Sequence, residues 1–174
     1  MKLTKAKIKH YIIKEIFYFI IVMTIVANVM SIYRSQSLSD EPLNIQTFKL
    51  INNTNYTVEK NRPVLIHFWA TWCPTCKMEA ANIEFLSKHY QVITIAVKSG
   101  SDYDLKRYLD EDGYSFLVVN DQDGTLSRKF NIAGFPTTFI YDSRQKLRFA
   151  EVGYTSTLGL WMRLLWSSLG PKSS

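Results

Sequence analysis

Apolar runs and amphipathic stretches alternate along the C-terminal part of the chain. Almost continuous apolar runs occupy Val64–Trp69, Val92–Val97 and Phe116–Val119. Runs of this kind are typical of strands buried on both faces, as in a parallel sheet. The stretches Pro74–Tyr90 and Ser101–Asp112 mix apolar side chains with charges, which predicts amphipathic helices. Strands that alternate with helices in this way predict an α/β domain.

Shorter patterns complete this domain at both ends. Alternating residues over Gln46–Ile51 and Tyr56–Val58 predict two strands around the polar turn Asn52–Asn55. A short helix, a strand hairpin and a closing helix are expected over Leu126–Phe130, Thr137–Tyr141, Lys146–Val152 and Ser156–Leu169. Ser101 is a suitable N-cap for the second helix, and Gly113 is a suitable stop. Together the elements predict an α/β sandwich.

The N-terminal segment Ile16–Ile32 is uncharged and apolar except at three positions. A helix of these 17 residues rises about 25 Å, and Tyr33 extends it toward the ~30 Å of a bilayer core. We therefore expect one transmembrane anchor over residues 16–33. The basic residues 1–15 are expected to stay in the cytoplasm, because positive flanks favour that side.

Residues 34–45 are polar and predict a tether that joins the anchor to the globular residues 46–174. The domain is then expected in the periplasm, held by a single pass through the bacterial inner membrane. A cleaved signal peptide is an alternative, although Ala27–Met30 offers no small-x-small cleavage site. A buried core helix is a third interpretation, which the preceding lysines and the polar tether disfavour.

The net charge of +6 belongs mainly to the N-terminus. Up to Arg34 the chain has six lysines and arginines and one acid, whereas the remainder has 15 basic and 14 acidic residues. The globular part is therefore nearly neutral. Its sequence has no basic stripe interleaved with aromatic residues, so we expect no nucleic-acid partner.

The only two cysteines, Cys73 and Cys76, lie between the first buried strand and the helix that follows it. Pro74 suits the first turn of that helix, which places Cys73 at the helix N-terminus. Free N–H groups and the partial positive charge there stabilise a thiolate, so Cys73 is the expected nucleophile. Cys76 lies one turn later on the same face, where it can resolve a mixed disulfide.

Three other interpretations compete with a redox pair. A zinc half-site needs two further ligands, and the three histidines, His10, His67 and His89, are scattered along the chain. A purely structural disulfide would close a loop of four residues, which gives little entropic stabilisation. Two unrelated buried thiols would not usually have this spacing. The strand, the Trp-Cys-Pro-x-Cys motif and the helix together favour redox chemistry without a metal.

Two further stretches carry a family resemblance. Phe68–Cys76 resembles the active-site segment of thioredoxins, and more closely that of membrane-tethered extracytoplasmic thioredoxin-like proteins. Gly134–Phe139 resembles their cis-proline loop, and Glu79 stands where the reductase branch has a glutamate near the disulfide. The resemblance covers roughly Pro63 to Leu169.

The resemblance implies a thioredoxin fold, with a central mixed sheet flanked by helices. It implies that Cys73 and Cys76 form the catalytic redox disulfide. The residues implied to support catalysis or to shape the substrate-docking surface are Glu79, Pro136, Trp72, Thr75 and Phe135. A cis Phe135–Pro136 bond is expected, and it would leave the backbone of Phe135 free to pair with an extended substrate chain.

Val97–Ser101 and Glu151–Thr155 further resemble the suppressor-of-copper-sensitivity type of disulfide oxidoreductase within this group. His67 departs from the thioredoxin pattern, because cytoplasmic thioredoxin has a buried aspartate at that position for proton transfer. A neutral imidazole suits a general base. A neutral imidazole is equally typical of a hydrogen-bonded core histidine, so we assign no catalytic role to His67.

These features predict a thiol–disulfide oxidoreductase that acts on protein disulfides outside the cytoplasmic membrane and needs no organic cofactor. Since the chain has no further cysteine, a membrane redox partner is expected to supply or remove its electrons. Reduction of apocytochrome c is an alternative, although Thr137 stands where such reductases have a glutamate after the cis-proline. A second alternative function is a Cu(I)-binding or copper-delivery module that uses both thiolates as ligands. Met78 is close in sequence, but its position predicts core packing.

Overall fold

The computed structural model describes residues 14–19, 22 and 43–169. Most of the predicted anchor, residues 16–33, lies outside the described residues, and so does nearly all of the predicted tether. Across the described ranges, no helix combines the length and the apolar character needed to cross a bilayer. The domain itself is described from Leu43 onward.

Two sheets form the β-structure of the domain. A separate antiparallel hairpin consists of β1 Thr47–Lys49 and β2 Asn55–Thr57. The central sheet consists of β3 Val64–Trp69, β4 Gln91–Val97, β5 Leu117–Asp121, β6 Thr137–Tyr141 and β7 Leu147–Val152. Its strand order is β5-β4-β3-β6-β7. Strands β3, β4 and β5 are parallel to one another, and β6 and β7 are antiparallel to their neighbours, so the sheet is mixed.

The helices are α1 Pro74–Ser87, α2 Asp102–Asp112, α3 Thr125–Lys129 and α4 Thr157–Ser168. As the sequence predicts, Ser101 caps the start of α2 and Gly113 ends it in a left-handed conformation with φ of 69°. The α/β sandwich predicted from the alternating pattern is thus confirmed.

The sheet separates two hydrophobic cores. Leu65 and Trp69 of β3 belong to one core, which includes buried leucines and an isoleucine from α1, α2 and α4. Ile66 and Phe68 belong to the other, together with Phe130 and residues of the N-terminal hairpin. Because successive strand residues point to opposite faces, β3 must be apolar on both. This explains the nearly continuous apolar run.

The outer surface of α1 corrects one expectation from the sequence. The sequence predicts that Met78 packs in the core, but it is 65% exposed, and Phe85 on the same helix is 51% exposed. The helix instead buries a face made of Cys76, Glu79, Ala80, Ile83 and Leu86. A carboxyl group therefore occupies a place that a simple apolar pattern gives to a hydrophobic side chain.

Candidate active site

The disulfide lies where β3 ends and α1 begins. Cys73 is the N-cap of α1, and Pro74 occupies the first helical turn. Cys73 and Cys76 are joined by a disulfide, with their Cα atoms 5.3 Å apart. The backbone N–H of Cys76 donates a hydrogen bond to Cys73 Sγ over 3.2 Å. A helix N-terminus thus directs a donor at the sulfur of Cys73, which favours a thiolate there once the disulfide is reduced.

Both cysteines are nearly buried, and Cys73 is slightly the more exposed, at 5% against 2% for Cys76. Thr75 is half-buried in the first turn of α1 between them. The disulfide is therefore largely covered, with slightly more of Cys73 than of Cys76 at the surface.

An aromatic pair borders the disulfide. Trp72 is 59% exposed, and its ring meets the ring of Phe135 edge-to-face with centroids 5.5 Å apart. The indole N–H of Trp72 donates to the backbone oxygen of Lys98 over 3.2 Å. The Phe135–Pro136 peptide bond is cis, which confirms the expectation from the sequence. The structure thereby brings Trp72 and Phe135, which are 63 positions apart in the chain, to one edge of the site.

Glu79 lies fully buried on the inner face of α1, one turn beyond Cys76. Its Oε1 accepts a hydrogen bond from the backbone N–H of Thr155 over 3.2 Å, whereas its buried Oε2 has no partner among the described residues. Burial raises the pKa of Glu79 to about 8, the Thr155 hydrogen bond opposes this rise, and the charge of Glu151 adds to it. The Glu79 side chain is therefore mostly protonated at neutral pH.

The surroundings of Glu79 come from residues to which the sequence assigned no role. The hydroxyl of Thr155 donates to Glu151 over 3.2 Å, and Glu151 forms an ion pair with Arg163 of α4. Glu151 and Thr155 lie in a stretch that carries a subtype resemblance. That resemblance did not indicate that the stretch would meet Glu79, because only folding brings α1 and the end of β7 together.

His67 lies in the middle of β3, and 2% of it is exposed. Its Nδ1 is 2.9 Å from the hydroxyl oxygen of Thr138 on the neighbouring strand β6. Burial lowers the pKa of His67 to about 3, so the ring is neutral at physiological pH. With that pKa it is a weak base, and its environment is that of a hydrogen-bonded core histidine.

The arrangement provides a pair of cysteines joined by a disulfide and a buried carboxyl group that can hold a proton. Within the described ranges, no three side chains of His, Cys, Asp or Glu come together as a metal site. The chemistry supported by this geometry is the making and breaking of a disulfide at Cys73 and Cys76.

Comparison with known proteins agrees with this site. The AhpC/TSA family matches residues 38–150 of the chain. A thioredoxin-like protein of Haemophilus influenzae is 33% identical over 131 residues, which are 73% of this chain and 78% of that protein. The thiol:disulfide interchange protein DsbE of the same organism is 31% identical over 109 residues, or 60% of each chain.

Solved structures agree on the fold. The crystal structure of StoA from Bacillus subtilis matches with a TM-score of 0.63 at 20% identity, covering 72% of this chain and 98% of StoA. The predicted thioredoxin fold is thus confirmed. The chain belongs to the AhpC/TSA family, and its fold, its Cys73–Cys76 pair and its relatives identify it as a thiol–disulfide oxidoreductase.

Proposed function

We propose that this protein is tethered to the bacterial inner membrane and exchanges disulfides with protein substrates in the periplasm. Cys73 is the attacking cysteine and Cys76 the resolving one. The observation that carries the assignment is the position of Cys73, which caps α1 and accepts the N–H of Cys76. A helix N-terminus favours the thiolate form that disulfide exchange requires.

In the reducing direction, the Cys73 thiolate attacks one sulfur of a substrate disulfide. The substrate S–S bond breaks, a Cys73–substrate disulfide forms, and the first substrate thiolate leaves and takes a proton from water. Cys76 then loses its proton, attacks Cys73 Sγ as a thiolate and releases the second substrate thiolate, which takes up the proton that Cys76 gave up. Two electrons have passed to the substrate, and the Cys73–Cys76 disulfide remains. The oxidising direction uses the same steps in reverse.

Glu79 supports this exchange by holding a proton. Residues three apart on a helix have Cβ atoms about 5–6 Å apart, so its carboxyl group is a near neighbour of the resolving cysteine. The pKa of Glu79 is raised to about 8. Near neutral pH its carboxyl group can therefore both take up and give up a proton, which suits a step that must run in both directions.

The location is proposed from the N-terminal sequence. Residues 16–33 form the proposed membrane anchor, and the five lysines that precede it favour a cytoplasmic N-terminus. An electron donor or acceptor in the membrane is part of the proposal, because the chain has no third cysteine to receive the electrons.

The general protein-disulfide role is favoured over one confined to apocytochrome c. Thr137, the residue after the cis-proline, is buried and donates its hydroxyl proton to the backbone oxygen of Gly134 over 2.7 Å. The carboxylate that apocytochrome reductases are expected to place there is therefore replaced by a short, internally bonded side chain.

The two cysteine variants test the assignment of roles. Cys73→Ser is expected to abolish disulfide exchange, because the attacking sulfur is gone. Cys76→Ser is expected to accumulate covalent complexes with partner proteins, because attack still occurs but release does not. Both variants are expressed in cells, and complexes are resolved by non-reducing electrophoresis. Complexes that accumulate with Cys73→Ser and not with Cys76→Ser would reverse the two roles.

A further inference from the structure

A groove opens beside the disulfide on the side of the aromatic pair. Its volume is about 590 Å³, and its lining includes Trp72, Lys98, Arg128, Asn131, Ile132 and Phe135. Trp72 directly precedes Cys73, and Phe135 directly precedes the cis-proline. The groove is therefore lined by the neighbours of the disulfide and of the cis-proline, and it extends past the end of β4 toward α3.

Two cationic side chains meet in this groove. The side chains of Lys98 and Arg128 both lie beside Gly124. A β-carbon built on this glycine would be 3.3 Å from Lys98 Cε and 3.3 Å from Arg128 Nη1, so the two side chains converge at this position. The guanidinium of Arg128 donates to the backbone oxygen of Asp123 over 2.8 Å and to Thr125 Oγ1 over 3.3 Å. These partners are neutral, and they fix the position of the Arg128 group without balancing its charge.

Neither cation has an acidic partner within residues 43–169: the ion pairs there involve other lysines and arginines. The described lining of the groove includes no carboxylate side chain. Asp121 is buried, and its carboxylate accepts the N–H groups of Leu126 and Ser127 at 2.9 and 2.8 Å. Asp123 lines a different depression, next to β1. Two positive charges thus face the groove with no negative one.

The lining of the groove also has an apolar part. Trp72 and Phe135 meet edge-to-face, and Ile132 belongs to the same lining. A partner chain that delivers its cysteine to Cys73 therefore has an aromatic surface for its backbone and apolar groups. Its side chains a few residues away meet Lys98 and Arg128.

We propose that the groove selects partner proteins with one or two acidic side chains within a few residues of the reacting cysteine. This inference rests on the proposed function, since it concerns the substrates of the same cysteine pair. Carboxylates meeting Lys98 and Arg128 gain charge-assisted hydrogen bonds, and the positive field of the groove speeds their encounter.

Three synthetic peptides with one internal disulfide test the proposal. They are identical except that the residues flanking one cysteine are glutamate, glutamine or lysine. The full-length protein is reduced, freed of reductant and mixed with each peptide; acid-quenched samples are separated by chromatography to give second-order rate constants. Each constant is divided by that for reduction of the same peptide by dithiothreitol, which removes the effect of charge on the disulfide itself.

At low salt we expect the glutamate peptide to react about five to ten times faster than the glutamine peptide, and the lysine peptide to be slowest. In about 0.5 M salt, where the screening length falls well below 10 Å, the ratio is expected to shrink to less than about twofold. The double variant Lys98→Gln, Arg128→Gln is expected to bring the glutamate-to-glutamine ratio close to one.

A matched control removes two other exposed positive charges, with Lys106→Gln and Arg144→Gln. Because both lie outside the groove, this variant is expected to keep the preference for glutamate. Equal normalised rates for the three peptides would overturn the inference. The proposed function would still stand in that case, because the protein would have reduced all three peptide disulfides. The inference would also be overturned if the control variant lost the preference for the glutamate peptide while the variant Lys98→Gln, Arg128→Gln kept it. If the wild type reduces none of the peptides, the proposed function fails, and the inference fails with it.

Discussion

Glu79 is a carboxyl group that folding removes from water next to a redox pair. Among the described residues, its carboxyl group has one hydrogen-bond partner, the backbone N–H of Thr155, which is too little to hold a charge in an apolar core. The proton is therefore retained to a higher pH in the folded state than in the unfolded one. Its pKa is raised from 4.5 to about 8, and this difference links the stability of the fold to pH.

Replacement of Glu79 by glutamine tests this link. In the wild type, the stabilisation associated with the bound proton is complete below about pH 4.5 and is lost as pH rises through about 8. Glutamine stays neutral throughout. We therefore expect the stability of Glu79→Gln, relative to wild type, to rise between pH 4 and pH 9 by roughly 1–4 kcal/mol.

Urea unfolding of the oxidised proteins at several pH values measures this difference. Glu111→Gln is a suitable control, because Glu111 is exposed on α2 and should show little pH-dependent difference from wild type. A difference between Glu79→Gln and wild type that does not change with pH would mean that Glu79 ionises like a carboxyl group in water.

Burial shifts the pKa of His67 as well, but downward rather than upward, because the protonated form of histidine is the charged one. Burial between β4 and β6 disfavours its charged form, and Thr138 offers a partner to the neutral ring. The sequence left open whether His67 is a base or a core residue. Its environment favours the core role, because a ring with a pKa of about 3 seldom accepts a proton at neutral pH.

At the scale of elements, α2 is delimited by local interactions at both ends. The Ser101 hydroxyl accepts the N–H of Asp104 over 3.3 Å, and the Asp104 carboxylate accepts the N–H of Ser101 over 2.9 Å. This is a reciprocal capping box. Gly113 adopts the left-handed conformation that ends the helix. Such bounds are encoded within a few residues, so the sequence predicts them well.

Ser101→Ala is expected to lower the free energy of unfolding by about 1 kcal/mol, because the N–H of Asp104 loses its acceptor. Chemical denaturation of the oxidised protein measures the change. Ser101→Thr provides the matched variant, because threonine keeps a hydroxyl that accepts the N–H of Asp104 and donates to its carboxylate, so it should lose less stability than Ser101→Ala. Equal losses in both variants would show that the cap is not the source of the effect.

At the scale of the whole molecule, the direction of electron flow depends on a partner outside this chain. The two cysteines provide one dithiol–disulfide couple, and nothing else in the sequence supplies thiols to restore it. We expect a membrane donor to keep Cys73 and Cys76 mainly reduced in growing cells, so that the protein can reduce substrates.

Acid quenching followed by alkylation of free thiols measures this redox state. A strain that produces Cys73→Ser provides the gel standard for a protein that cannot form the disulfide. A mostly oxidised pair in growing cells would contradict the expected direction and would indicate disulfide donation instead.

The sequence alone located the chemistry of this protein, because that chemistry depends on contiguous spacing. Cys73, Pro74 and Cys76 form a motif at a strand–helix junction, and Pro136 lies in a recognisable loop. The buried strands could also be predicted from the sequence, since burial on both faces requires an uninterrupted apolar run. The sequence pattern did not predict which face of α1 is buried. That face includes Glu79, and hydrophobicity alone could not show that this glutamate points inward.

Only the tertiary structure decided what surrounds the redox pair. Thr155 reaches Glu79 from the loop after β7, and the side chains of Lys98 and Arg128 converge beside Gly124, so each arrangement joins residues far apart in the chain. Their effects depend on burial and on the absence of opposing charge nearby, which are properties of a packed site. Residue type and local spacing thus determined which reaction the chain performs. Packing determined how tightly Glu79 holds its proton and which charges face an incoming partner.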